Sequence, residues 1–287
     1  MGKAMKLGAL WISFAMLSMA AGPEIDHARK LYNLTQFEQS LKVLQTVPEK
    51  DADVYELIGR NYYMQGEYKK ATEALEKAVA EDPENAEMAL WLGRAFGRRA
   101  ETSSPFTAPG YASKARQYFE KSVALNPKNT EALSDLFEYY LEAPGFLGGG
   151  LDKAAGVADQ IAEIDAAEGH WARAKIAEKR KEFSSAEEQL RRAIEASPQR
   201  IGRLIDLAKF LAKQGRFDEA DQNLDRAEKI APNSPRLVFA KADLYVKHGR
   251  NLDVAKSLLK RYMSMTLTPD DASKADAEKL LKQAQGS

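Results

Sequence analysis

The chain repeats one pattern of apolar and polar positions, and the clearest copy runs from Ala52 to Asn85. Within this copy, apolar or small residues recur at steps of three and four, the spacing that gathers side chains on one face of a helix. The first run contains Tyr55, Ile58, Gly59 and Tyr62, and the second contains Tyr68, Ala71, Leu75 and Ala78. Gly66 separates the two runs, and Pro83 ends the second. The pattern predicts two short helices joined by a tight turn.

Less regular copies of this unit flank it on both sides. By their apolar spacing they run over residues 25–48, 86–129, 130–166, 167–200, 201–234 and 235–266. Two of them carry insertions between their helices: ETSSPFTAPG, which begins at Glu101, and APGFLGGG, which begins at Ala143. Because Ser, Thr, Pro and Gly favour turns, both insertions are predicted to be irregular loops. A last segment, Pro269 to Gln285, is rich in Lys, Asp, Glu and Ala, and is predicted to be a polar capping helix.

The unit from Ala52 to Asn85 resembles a tetratricopeptide repeat. That family has a bulky residue, Leu-Gly, Tyr, Gly, Tyr, Ala, Tyr, Ala and Pro at these offsets, and nearly all of them agree in this window. The resemblance implies an all-α fold, a right-handed superhelix of about seven helix-turn-helix repeats with an open inner trough. Since three or so repeats suffice for a stable array, the solenoid is predicted to span residues 21–268 as one body, with the capping helix in residues 269–287.

The first twenty residues have the features of a secretory signal peptide. Lys3 and Lys6 precede an apolar run, and Ser18 and Ala20 provide the small residues that favour cleavage after Ala20. The alternative is an uncleaved anchor in the inner membrane, although the run is shorter than the ~20 residues of a spanning helix. We therefore expect an exported, periplasmic protein that has no membrane contact once the signal is removed.

Composition narrows the classes of function. Forty-two basic residues balance 42 acidic ones, so no global charge attracts nucleic acid, and none is expected as a partner. The chain has no cysteine, which excludes disulfides, thiolate metal sites and cysteine nucleophiles. Its three histidines stand apart and the glycine-rich insertion lacks the phosphate-loop spacing, so neither a metal nor a cofactor is expected.

The resemblance implies that the first helix of each repeat lines a concave groove. At one groove-facing offset, Arg29, Arg60 and Arg94 form a predicted arginine ladder in successive repeats. The full set of predicted partner-binding residues is Arg29, Tyr32, Arg60, Tyr63, Arg94, Arg98, Trp171 and Lys175. Because guanidinium groups grip carboxylates with two parallel hydrogen bonds, an acidic segment of a protein partner is expected there. The alternative is that these charges are solvated and pair with Glu56 and Glu87.

The two insertions are predicted to lie side by side on one rim of the solenoid. Their apolar residues, Phe106, Tyr111, Phe146 and Leu147, are expected to make one composite patch, since exposed apolar surface often marks a contact with a partner. Three consecutive glycines, Gly148, Gly149 and Gly150, allow backbone angles closed to other residues. The alternative is that the insertions only pack against one another.

The sequence therefore predicts a non-catalytic scaffold that binds a partner polypeptide in its groove, within a bacterial cell-envelope assembly. The alternative is an enzyme or small-ligand-binding protein whose site lies under the glycine-rich rim loops, near Gly148 and His170.

Overall fold

A computed structural model describes residues 22–286, and helices account for most of this range. The helices are α1 (Pro23–Asn33), α2 (Phe37–Thr46), α3 (Ala52–Met64), α4 (Tyr68–Glu81), α5 (Ala86–Thr102), α6 (Ala108–Leu125), α7 (Thr130–Glu142), α8 (Leu151–Ile164), α9 (Ala166–Lys179), α10 (Phe183–Ala196), α11 (Ile201–Lys213), α12 (Phe217–Ile230), α13 (Pro235–Lys247), α14 (Leu252–Met263) and α15 (Lys274–Gly286). A short 3₁₀ turn, Gly145–Leu147, precedes α8, and the described range contains no strand.

The helices form seven hairpins that stack in chain order. Each odd-numbered helix from α1 to α13 packs against the even-numbered helix that follows it, and each hairpin then packs on the next. The last helix, α15, packs on α14 and α13. Contacts are therefore made chiefly between neighbours in the sequence, as in other repeat arrays. The predicted all-α solenoid is confirmed.

Side-chain caps define where most of the first helices of the hairpins begin. In each case an Asp, Asn or Ser oxygen accepts a hydrogen bond from an amide of the first turn, which would otherwise lack a partner. The capping residues are Asp51, Asn85, Asn129, Asp165 and Ser234, at the starts of α3, α5, α7, α9 and α13. The turn after the first helix needs a left-handed residue, which is Gly66 in the second hairpin (φ 76°) and Gly215 in the sixth (φ 76°).

Small residues let the paired helices approach closely. A methyl group added at Gly59 of α3 would lie 2.5 Å from the Leu75 side chain of α4, and one at Gly93 of α5 would lie 2.7 Å from Phe119 of α6. The apolar faces predicted from the sequence are thus in close contact, with no space for a methyl group at either glycine. The buried side chains divide into three clusters along the array, the smallest of which belongs to the first hairpin and α3.

The two insertions are built differently. The first was predicted as an irregular loop of about ten residues, but α5 continues to Thr102 and α6 begins at Ala108. Half of that insertion therefore lengthens the two helices, because its alanine and its proline at the start of α6 are compatible with helix. The second insertion, Ala143 to Gly150, is irregular apart from its 3₁₀ turn, as predicted.

The termini bear on the remaining domain predictions. The predicted signal peptide, residues 1–20, lies outside the described residues. Between residues 22 and 286, no helix combines the length and apolar character needed to cross a membrane. The capping helix was predicted to start at Pro269, whereas α15 starts at Lys274 and residues 264–273 are an irregular connection.

Candidate binding groove

Arg60 connects three repeats. Its guanidinium lies 5.2 Å from the ring centroid of Tyr32 in α1 and 4.4 Å from that of Trp91 in α5, so it contacts two aromatic side chains at once. Its Nη1 also lies 3.2 Å from the Glu56 carboxylate and 3.8 Å from that of Glu87. Burial raises the pKa of Glu56, and Arg60 offsets that rise only in part. This guanidinium is therefore largely satisfied within the protein.

Arg94 continues the same arrangement toward the fourth hairpin. It lies 4.9 Å from the Trp91 centroid, and its Nε donates to Asp135 at 2.5 Å. A second bond joins its Nη2 to Glu131 at 3.0 Å. Burial raises the pKa of Asp135 despite the adjacent arginine. Arg60 and Arg94 thus share one tryptophan, and both are neutralised by carboxylates of the protein itself.

The other predicted groove residues in the amino-terminal half of the array also interact with rings or charges of the protein itself. Arg98 lies 5.2 Å from the Tyr68 centroid, donates to the Tyr68 hydroxyl at 3.1 Å and pairs with Glu101. Tyr63 packs edge-on against Trp91 at 5.4 Å. Arg29 is half-buried, and its charge lowers the pKa of Glu56.

The arginine ladder therefore contains two paired cations, Arg60 and Arg94, whereas Arg29 makes no hydrogen bond or ion pair within residues 22–286. The pairing of Arg60 with Glu56 and Glu87, which was the alternative to partner binding, is present. Its physical reason is that the first helix of the following repeat, α5 for Arg60 and α7 for Arg94, carries a carboxylate within reach of the arginine. Binding of a partner by these residues stays a prediction.

Trp171 and Lys175 of α9 lie further along the groove. The Trp171 ring contacts Phe137 at 5.8 Å and lies 5.4 Å from the Arg203 guanidinium of α11. Arg203 is almost fully buried and pairs with Glu168 at 2.7 Å and Asp206 at 3.1 Å. Lys175 pairs with Glu178 at 3.5 Å. Trp171 therefore connects the fifth hairpin to the fourth and the sixth through these contacts.

Two cations that were not among the predicted site residues face the groove. Lys209 of α11 and Arg236 of α13 line a central cavity of about 700 Å³, and neither makes a hydrogen bond or ion pair within the described chain. Lys209 keeps contact with solvent, but the surrounding walls desolvate its ammonium group and lower its pKa, although Asp206 and Asp243 act against that change from a distance. The sequence could have identified Lys209 as a groove residue, because in the sixth repeat it occupies the same offset as the arginines of the ladder.

Opposite walls of the solenoid meet at this cavity. Its lining comes from α5, α7, α11, α13 and residues 270–272, and it includes Arg94 and Asp135 from one side and Phe239 and Asp243 from the other. The coil of seven hairpins therefore brings the last repeats opposite the third and fourth. The groove is therefore a channel whose opposite walls share one cavity.

The connection between α14 and α15, residues 264–273, crosses this channel, and we call it the C-terminal strap. Leu267 anchors it in the core, and the Tyr262 hydroxyl donates to the Ala272 carbonyl at 2.6 Å. The strap also lines a second cavity of about 680 Å³ whose other wall includes Thr35, Phe37, Tyr63 and Tyr68. The expectation of an open trough is wrong at this point, because the coil returns the end of the chain to the face of the first repeats.

The rim loops do not form the predicted four-residue patch. Tyr111 faces inward, stacks on Phe96 at 6.2 Å and accepts a hydrogen bond from Arg99 at 2.5 Å. Leu147 is half-buried, and its carbonyl accepts from the Tyr139 hydroxyl at 2.9 Å. Phe106 and Phe146 remain, with exposed fractions of 96% and 82%. The exposed apolar surface of the two loops is thus limited to these two rings.

The glycine-rich loop is a packed turn. The amides of Gly148, Gly149 and Gly150 donate to the carbonyls of Gly145, Pro144 and Tyr140. Gly149 lies so close to the backbone of Ala143 that an added methyl group would be 1.9 Å from its carbonyl oxygen. Because all three amides are used internally, the loop offers no cradle for a phosphate.

A cleft of about 480 Å³ lies beside the loop, against the concave face. Its walls include Phe119, Tyr139, Pro144 and Leu147 together with Arg94 and Arg98, but neither Gly148 nor His170. His170 instead bonds to Gln189 through Nδ1 at 2.8 Å. Across residues 22–286, no group of three or more His, Cys, Asp or Glu side chains is arranged to hold a metal ion.

Comparisons with known proteins agree with this architecture. Family models described as tetratricopeptide repeat match residues 52–85 and 177–244. A tetratricopeptide repeat protein from Parabacteroides merdae is similar over 91% of this chain and 97% of its own, with 16% identity and a TM-score of 0.57. A thermophilic repeat protein of the same type from Thermus thermophilus covers 66% of this chain and 97% of its own, with 18% identity and a TM-score of 0.54. At these identities the likeness concerns the fold, and no curated protein matches the chain.

Proposed function

Because the chain is a tetratricopeptide repeat protein, we propose that it is a non-catalytic scaffold that binds a partner polypeptide in its concave groove. Repeats of this family generally mediate protein–protein interaction, and solenoids present extended concave surfaces suited to it. The observation that carries the proposal is a pair of cations, Lys209 and Arg236, that have no hydrogen-bonded partner in the described part of the chain and face a cavity of about 700 Å³ inside the groove.

The charges favour an acidic partner segment, placed in the carboxy-terminal half of the groove. Arg60, Arg94 and Arg98 already hold carboxylates, whereas Lys209 and Arg236 have none within hydrogen-bond reach among residues 22–286. A partner carboxylate brought to them would gain a charge-assisted hydrogen bond without displacing an internal one. This moves the expected acidic contact from the arginine ladder to α11 and α13.

Crosslinking in intact cells tests the proposal. We expect Lys209→Glu with Arg236→Glu to abolish the crosslink to a protein partner that is identified by mass spectrometry. The matched control is Lys229→Glu with Lys260→Glu, which makes the same change of charge at exposed positions on the second helices α12 and α14. Equal capture of the partner by both double variants would contradict groove binding.

We also propose that the protein acts in the cell envelope after export. The support is the charged start and apolar run of residues 1–20. The intact mass of the protein purified from its native cell should lack these residues. A retained segment together with membrane fractionation would instead indicate a tether in the inner membrane.

A small-ligand site beneath the rim loops is the second candidate, and the cleft beside Pro144 and Leu147 is the observation that favours it. It is the weaker candidate because the loop amides and the cleft arginines already have partners. A small molecule that co-purifies with the parent chain and is lost on Tyr139→Ala would favour this site over the scaffold.

A further inference from the structure

The C-terminal strap carries two aspartates into the channel. Asp270 and Asp271 line the central cavity together with Lys209 and Arg236, so acidic and basic side chains face each other across it. Asp271 is held in place, because its carboxylate accepts bonds from the Thr268 amide at 2.9 Å and the Thr268 hydroxyl at 3.0 Å. Asp270 is exposed and makes no hydrogen bond or ion pair within residues 22–286.

The strap also reaches the first repeats. It shares the second cavity with residues of α1 to α4 and their turns, among them Thr35, Tyr63 and Gln65. Burial raises the pKa of Tyr32 in α1, and the negative charge of Asp270 adds to that rise. The strap therefore spans the channel from the last hairpin to the first.

We propose that the strap is an intramolecular competitor of the partner, which must displace it to reach Lys209 and Arg236. The inference rests on the proposed function, and it adds the reason that the partner is acidic: its carboxylates replace those of Asp270 and Asp271. The positive charges of Lys209 and Arg236, which have no hydrogen-bonded carboxylate among residues 22–286, attract both the strap and an acidic partner segment, so the two compete.

The strap is suited to move. Leu267 anchors its beginning and Ala272 its end, but between them Thr268 and Asp270 are exposed and bury little apolar surface. Segments with few buried contacts open at low free energy. Displacement can thus occur without unfolding α14 or α15, which pack on each other.

The absence of cysteine permits a direct measurement. Gln65→Cys places one nitroxide label at an exposed position on the wall of the second cavity, and Thr268→Cys places the other at an exposed position on the strap itself. In the full chain, we expect Lys209→Glu with Arg236→Glu to repel the strap, so that the distance distribution between the labels broadens and shifts to longer values. Lys229→Glu with Lys260→Glu should leave the distribution unchanged. An unchanged distribution in both double variants would overturn the inference.

A fluorescent octaglutamate peptide then tests competition. At low ionic strength, Asp270→Asn should bind it about two- to fivefold more tightly than the parent, whereas Asp218→Asn, an exposed carboxylate on α12 with the same change of charge, should bind as the parent does. Saturating peptide should lengthen the distance between the labels in the parent chain.

The outcomes separate the two proposals. Binding that requires Lys209 and Arg236 but leaves the label distance unchanged would overturn the competitor and leave the proposed function standing. If charge reversal moves the strap but the peptide does not bind the parent chain, the result would contradict both the proposed acidic partner and the proposed competition.

Discussion

Single side chains of this protein connect successive repeats. Arg60 illustrates the principle, since its guanidinium contacts rings in the first and third hairpins and carboxylates of the second and third. Planar guanidinium groups suit such positions because they stack on aromatic faces while donating in their own plane. A groove arginine can therefore stabilise the array instead of binding a ligand.

Arg60→Met is expected to lower the free energy of unfolding by about 1–3 kcal/mol at neutral pH, because it leaves the Glu56 carboxylate nearly buried without a close cation. Burial already raises the pKa of Glu56 above its ordinary value of 4.5. A raised folded-state pKa means that folding favours the protonated acid, so the penalty of ionisation appears as the pH rises through that pKa and is absent below the ordinary value. The deficit of the variant should consequently shrink as the pH falls toward about 5.

Urea unfolding at both pH values measures this effect. Adding Glu56→Gln to Arg60→Met should recover most of the loss at neutral pH. The control, Arg192→Met, removes the ion pair between the exposed side chains of Arg192 and Glu188 on α10. It should change the free energy of unfolding by about 0.5 kcal/mol or less. A deficit that is independent of pH would show that lost stacking, rather than the stranded carboxylate, is the cause.

At the scale of the element, helix pairs are specified by where small residues stand. Gly59 and Gly93 sit at the points of closest approach within the second and third hairpins, against Leu75 and Phe119. The fourth to seventh hairpins hold Phe137, Ala174, Ala208 and Ala242 at this offset. The spacing of the helices within a hairpin is thus set locally and can be read from the pattern.

Gly59→Ala should destabilise the protein by about 1–3 kcal/mol, because the new methyl group would overlap the Leu75 side chain in a closely packed interface. Gly156→Ala is the matched control, since Gly156 lies inside α8 and nothing stands within 4 Å of an added methyl group. There the substitution should stabilise by about 0.5–1 kcal/mol through helix propensity. Thermal and urea unfolding of both variants check the contrast, and equal effects would mean that Leu75 can move aside.

For the whole molecule, stability is distributed along an array and not gathered in one core. The buried cluster of the first hairpin and α3 is separate from the two larger clusters that serve the middle and the end of the chain. In repeat arrays each unit is stabilised by its neighbours, and a terminal unit has only one. Opening is therefore expected to begin at the first hairpin.

Native-state hydrogen exchange should show this gradient. Amides of α1 and α2 are expected to exchange through local opening, whereas those of α11, whose buried residues belong to the largest cluster, should approach the free energy of global unfolding. Equal protection of α2 and α11 would show instead that the array unfolds as a single cooperative unit.

The sequence by itself determined the helix pairs and their order, because these depend on contacts within about thirty-four residues of chain. It also located the glycine-rich loop, but it assigned all of ETSSPFTAPG to a loop although half of that segment is helical, since turn-forming residues do not reveal that a neighbouring helix continues through them. It placed Arg60, Arg94 and Trp171 on the groove face.

Only the tertiary structure decided what those residues do there. Arg94 contacts Asp135 of the next hairpin, and Asp270 of the C-terminal strap faces Lys209 and Arg236, which have no carboxylate at hydrogen-bond distance among the described residues. Each of these outcomes depends on distances across repeats, which are set by the accumulated rotation of the coil and not by any local run of residues. The attraction between two charges weakens as the distance between them grows. The sequence therefore shows which residues are charged, whereas the fold determines which of them pair.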